Sequence, residues 1–96
     1  MEIKWLRKAL ESLNNELDYI SHDDPAAAQK ILERIHKAVL SLADNPSAGR
    51  AGRVSGTREL VVPNTRYVVP YRVRLDLERV EILRVFHCSR RPPKNW

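Results

Sequence analysis

The chain has one cysteine, Cys88, so no disulfide can form within it. No apolar run approaches the roughly 20 residues of a membrane span or the apolar centre of a secretory signal, which points to a protein of the reducing cytoplasm with no membrane partner. Nothing beside Cys88 completes a metal set or a Cys/His/Asn arrangement. The thiol therefore reads as a small core or edge residue, and neither a metal nor a cofactor is expected. Glycine is scarce too, and all three (Gly49, Gly52, Gly56) fall in "SAGRAGRVSG" at 47–56. That stretch reads as a flexible connector carrying Arg50 and Arg53. With 96 residues the chain is expected to form a single domain, 1–96, with room for one modest core. Function must then lie on its surface.

Charge is distributed unevenly. Residues 1–48 carry 6 Lys/Arg against 8 Asp/Glu, whereas residues 49–96 carry 11 against 4. The C-terminal half is the anion-seeking one. Of the 17 cations 12 are arginines, which favours two-point contacts to phosphate or carboxylate over diffuse attraction. A nucleic acid or an acidic protein segment fits such a surface.

Two helices come first. Ile3, Leu6, Leu10, Leu13, Leu17 and Ile20 recur at helical spacing with polar residues between them. "SHDDPAAAQ" interrupts the pattern and restarts it, because Asp24 can cap free amides and Pro25 suits the first helical position. The second stripe is Ala28, Ile31, Leu32, Ile35, Val39 and Leu42, stopped by "ADNP" at 43–46. Three strands are expected at about 57–62, 66–75 and 79–88. In the middle strand Tyr67, Val69, Tyr71, Val73 and Leu75 share one face, with Val68, Pro70, Arg72 and Arg74 on the other. Pro70 cannot donate to a ladder, so a bulge or an unpaired stretch is expected there. In the last strand Val80, Ile82 and Phe86 should face one way and Leu83 and Val85 the other, as in a central strand. The fold class is α+β: an N-terminal helical hairpin packed on a small, mainly antiparallel sheet, in βααβββ order if residues 3–5 form a first short strand.

The stretches "NPSAGRAGRVSGTRELVV", "YVVPYRV" and "VEILRVFHCSRRP", in this order after two helices, resemble the RelE/ParE superfamily of bacterial type II toxins. The resemblance covers nearly the whole chain. It implies a toxin that arrests growth and is neutralised by a cognate antitoxin wrapping it with an otherwise disordered segment. It also leaves two activities open: ParE-like members poison DNA gyrase, and RelE-like members are ribosome-dependent mRNA endonucleases (mRNA interferases). A basic nucleic-acid-binding module without toxicity is a third reading.

Cleavage of RNA by its 2′-hydroxyl needs a proton acceptor, cations for the charge on phosphorus and a donor to the leaving oxygen. The RelE-like pattern laid on this chain puts its lysine positions at Glu59 and Val61, its first arginine at Val68, its second at Arg90 and its terminal aromatic at Trp96. Only Arg90 matches clearly. If the protein is a nuclease, the catalytic candidates are His87 and Arg90, with Glu59, Arg66 and Arg84 as further members of a substitute set. Arg50, Arg53, Arg58, Arg66, Arg84, Arg90, Arg91 and Trp96 are the candidates for contacting target or antitoxin. The pattern as a whole favours the gyrase poison, with partners antitoxin and gyrase, and as the alternative the ribosome with mRNA. Pro92 and Pro93 are expected to stiffen the tail into an extended arm, with Trp96 read either as a hydrophobic tether folded back on the domain or as a stacking or interface anchor.

Overall fold

A computed structural model describes residues 1–92 and 94–96 of the chain. Strand β1 (Glu2–Trp5) leads into helix α1 (Arg7–Asp23) and helix α2 (Pro25–Leu40). The strands β2 (Arg50–Ala51), β3 (Arg58–Val61), β4 (Tyr67–Arg74), β5 (Arg79–Ile82) and β6 (Phe86–His87) follow. The sheet order is β1-β5-β4-β3-β2, with β6 paired to the other end of β4. β1 runs parallel to β5 and the remaining pairs are antiparallel. Two helices on one face of a mixed, mainly antiparallel sheet give the α+β class expected. The order gains two elements, because the connector contributes β2 and the last strand is divided.

The break between the helices follows from the capping chemistry. The Asp24 carboxylate accepts from the Ala27 amide at 3.0 Å, and Pro25 opens α2. The α2 stripe packs as its spacing implies, with Ala28, Ile35, Val39 and Leu42 all buried. The α1 stripe is rotated from expectation. Ile3 lies in β1 and Leu6 precedes the helix, while Ala9, Leu13 and Glu16 are buried and Leu10 is 46% exposed. A carboxylate replaces a leucine on the inward side because Arg90 meets it there.

On the helix side of the sheet Tyr67, Val69 and Tyr71 join Ile35, Val39, Leu42, Val80 and Ile82 in one core, with Val73 packed against it. Leu75 leaves this face and lies exposed in the turn after β4. Tyr71 also secures the connector. Its hydroxyl donates to the Pro46 carbonyl at 2.7 Å and accepts from the Gly49 amide at 2.8 Å. A Cβ on Gly49 would meet the Tyr71 ring at 2.7 Å, so only glycine allows this approach.

Residues 47–56 are therefore not a loose connector. Arg50 and Ala51 pair with Glu59 and Arg58, and the Gly52 amide donates to the Thr57 carbonyl at 2.8 Å. Scarcity of apolar side chains suggested flexibility, whereas backbone pairing and Tyr71 hold the segment in place.

Pro70 reorganises the last strand. Its carbonyl accepts from Leu83 at 2.9 Å, and its missing N–H would face the same neighbour. The ladder opens here: Tyr71 pairs with Ile82 on one side of the gap and Val68 with Phe86 on the other. Leu83, Arg84 and Val85 face only Val69 and Pro70, which is a bulge. The Val85 amide is satisfied from outside the sheet by the Ser12 hydroxyl of α1, at 2.9 Å. One inserted residue exchanges the two faces beyond it. Val85 joins Val80 and Ile82 in the core, and Phe86 turns to the opposite side with Val68, correcting the simple alternation expected for 79–88.

Candidate functional site

The face of the sheet away from the helices carries two buried carboxylates held by arginines. Glu81 is 2% exposed. Its Oε1 accepts from Arg72 Nε at 2.6 Å, and its Oε2 accepts from Arg79 Nε and Nη2 at 2.9 and 2.6 Å. Arg74 Nη1 stands 3.8 Å away, and Lys4 is in register beside Glu81 on β1. The hydrogen bond from Arg72 is the main cause that holds the Glu81 carboxyl below its ordinary value, against the opposing effect of desolvation.

The second carboxylate, Glu59, is 1% exposed and accepts from Arg50 Nη2 at 3.3 Å and from the Arg53 amide at 2.9 Å, with Arg53 Nε at 3.8 Å. The Arg53 guanidinium also lies 5.4 Å from the centre of the Phe86 ring. Arg72, Arg74, Arg79 and Glu81 were not among the candidates from sequence. Alternation in β4 did place Arg72 and Arg74 on the outer face, but the cross-strand register that brings Arg79 and Glu81 beside them appears only when the sheet is assembled.

A second cluster forms where β6 meets α1. Arg90 Nη1 is bound to Glu16 Oε1, and its guanidinium lies 5.4 Å from the Tyr19 ring centre. Glu16 is buried, and its other oxygen has no partner among the described residues. Burial first, and then the adjacent Glu16 carboxylate, push the Tyr67 phenol above its ordinary value. His87 contacts the Tyr67 ring edge-on at 5.3 Å, and its Nδ1 lies 2.6 Å from Ser89 Oγ and 3.2 Å from the Ser89 amide.

The remaining candidates are scattered. Arg58 donates to the Ser47 and Gly49 carbonyls at 3.3 and 2.8 Å and so supports the connector on the helix side. Arg66 and Arg91 are exposed. Arg84 lies in the bulge, half-buried, with its Nε lacking a partner among the described residues. Cys88 is exposed, not a core residue. Trp96 stacks on Phe86 with ring centres 5.5 Å apart and planes 19° from parallel. The tail thus returns to the sheet instead of projecting as an arm; Pro93, the other half of that expectation, lies outside the described residues.

The substitute nuclease set does not converge. Glu59 is in register with Pro70 on the outer face, whereas His87 is in register with Tyr67 on the helix side. Arg90 is engaged with Glu16. Among the described residues no group of three or more His, Cys, Asp or Glu is placed to hold a metal ion, and no helix is long and apolar enough to cross a membrane.

Residues 3–92 match the family described as ParE toxin of the type II toxin–antitoxin system, parDE. The chain belongs to this ParE toxin family. It is similar to Y4kP of Sinorhizobium fredii (44% identity over 92 residues, 96% of this chain and 93% of the relative). It is also similar to toxin RelE2 of Caulobacter vibrioides (36% over 89 residues, 93% and 97%). Among solved structures, a chain of the chromosomal ParDE toxin–antitoxin system from P. aeruginosa superposes with a TM-score of 0.79 at 32% identity, covering 93% of this chain and 97% of that one. A chain of the intact E. coli RelBE toxin–antitoxin complex superposes with a TM-score of 0.61 at 13% identity, covering 93% and 98%, and shares the fold.

In this ParE-family toxin the chemistry on offer is recognition of anions. Guanidinium groups fixed by buried carboxylates present planar N–H edges, suited to carboxylate or phosphate oxygens. The outer face is rich in such groups, and His87 lies on the opposite side, in register with Tyr67.

Proposed function

We propose that the protein is neutralised by a cognate antitoxin and arrests growth by poisoning DNA gyrase, without cutting RNA. One observation carries the choice of target. The positions where a RelE-like nuclease would carry its two lysines and first arginine hold Glu59, Val61 and Val68. Glu59 is buried and committed to Arg50 and Arg53, Val61 is an apolar surface residue, and Val68 is buried beside Phe86. None of these three side chains can supply a cation for the charge on phosphorus or a donor for the leaving oxygen. A protein partner is in keeping with the ParDE and RelBE complexes in which the similar folds were solved.

The purified toxin should inhibit supercoiling by DNA gyrase and leave mRNA on translating ribosomes intact. The His87→Gln variant separates the readings further. A catalytic base or acid contributes about 10²–10⁴ in rate, so toxicity retained within a few-fold supports the poison. Codon-phased cuts in translated mRNA, with gyrase unaffected, would reverse the assignment.

A further inference from the structure

The sheet ends in two unequal edges. β2 has only two residues, too few to template another strand, whereas β1 has four and β5 as its one neighbour among the described residues. The amides of Glu2 and Leu6 donate to the Glu78 and Ile82 carbonyls at 3.3 and 3.0 Å. Backbone groups alternate in direction along a strand, so those of Ile3 and Trp5 point the other way, out of the edge of the sheet. No described strand lies there to pair with them.

The sequence of this edge is self-complementary. A second β1 laid antiparallel about Ile3 sets Glu2 opposite Lys4 of the other copy, and Lys4 opposite its Glu2. Ile3 then meets Ile3 as a hydrogen-bonded pair that exchanges both N–H groups, and the Trp5 amide meets the Met1 carbonyl. The Glu2–Lys4 pairs fall at the non-hydrogen-bonded positions, where Cα atoms approach to about 4.5 Å and opposite charges across strands are stabilising. Both residues are exposed, and neither makes an ion pair among the described residues. An edge lysine ordinarily discourages strand pairing, but here a glutamate stands at the matching position. The helix-side row matches as well. Ile3 and Trp5 pack on the core yet are only half-buried, and Met1 is 39% exposed.

We propose that the β1 edge is a self-association site, where a second copy of this chain pairs antiparallel about Ile3 and continues the sheet across a two-fold axis. Symmetry limits the assembly to a dimer, since the contact consumes both β1 edges and leaves only the two-residue β2 strands at the ends. A foreign strand fits less well, because the edge offers one charge of each sign and favours only a segment that carries them in the same order. The contact is short, so the dimer is weak and belongs with transient interfaces of less than about 1,200 Å². This goes beyond the toxin reading and does not depend on its target.

Sedimentation equilibrium of the purified full chain, from about 10 µM to about 1 mM, should show a reversible monomer–dimer equilibrium. In ¹⁵N spectra over the same range the Ile3 and Trp5 amides should shift and exchange more slowly with solvent. Glu2→Lys and Lys4→Glu each set like charges across the two-fold axis twice, and each alone should weaken association about tenfold or more. Mixed in equal amounts the two variants should associate again, because one carries cations at both positions and the other anions at both. Damage to the fold of either variant cannot produce that recovery, and unperturbed spectra away from β1 verify both folds. A chain that stays monomeric at about 1 mM, a dimer whose shifts fall on α1, α2 or the outer-face arginines, single variants that associate like wild type, or a mixture that fails to recover would each overturn the proposal.

Discussion

The two faces of β4 are built from alternating residues of one strand, yet they do different work. Tyr67, Val69, Tyr71 and Val73 face the helices and form the core, while Arg72 and Arg74 face outward over Glu81. The inner face derives its stability from apolar area, which carries no charge for salt to screen or pH to titrate. The outer face keeps its carboxylates buried beneath guanidiniums, so its order is electrostatic. One side of the sheet is thus given to the core, while the other presents guanidinium groups to solvent.

The sharpest way to break this contrast is through Tyr71. Tyr71→Ala empties a fully buried site and releases the connector from Pro46 and Gly49, and should cost about 3–5 kcal/mol. Thermal unfolding should show most of the chain unfolded at 37 °C. Tyr71→Phe, which keeps the volume, should lose only about 1–2 kcal/mol for the two hydrogen bonds.

An intermediate effect is expected from Glu81→Gln on the outer face. Removing the charge beneath three arginines should cost on the order of 2 kcal/mol, less than a fully buried pair because the guanidiniums are partly exposed. Tm should fall by roughly 10 °C. The folded-state pKa of Glu81 is depressed, so its contribution is present above its ordinary value and is lost as pH falls through the folded one. The stability gap between wild type and variant should therefore close on acidification below about pH 4; a gap that stays constant to pH 2 would show that Glu81 acts through packing alone.

The smallest effects separate neighbouring arginines at the end of the chain. Arg90→Gln leaves the buried Glu16 without its cation and should cost about 1–2 kcal/mol, whereas the exposed Arg91→Gln should change stability by less than about 0.5 kcal/mol. Equal denaturation midpoints for the two variants would mean that the Glu16–Arg90 pair is exposed in solution.

Much of the site was hidden because its partners come from distant parts of the chain. Nothing local to α1 marks Glu16 as a buried position, and only the return of the chain after β6 brings Arg90 to it. Glu59 stands at a lysine position of the RelE-like pattern and in the substitute nuclease set, and neither reading points to the cluster it centres with Arg50 and Arg53. Local pattern carries no information about such pairs, since each depends on which strands become neighbours.

The sequence by itself determined the helical hairpin, the alternation of β4 and the family. Helix periodicity, the Asp24–Pro25 cap and the ordered motifs are properties of neighbouring residues, and they act before any long-range contact forms. Tertiary structure alone decided the register. Pro70 announced a defect, but its place in the sheet depended on Leu83 bonding to the Pro70 carbonyl and Ser12 of α1 accommodating the freed Val85 amide. The resulting one-residue bulge sends Val85 inward and Phe86 outward, and strand pairing sets Arg79 and Glu81 beside Arg74 and Arg72. With a side-chain period of two, a single inserted residue reverses every face beyond it, so the make-up of the outer face could be fixed only when the strands had met.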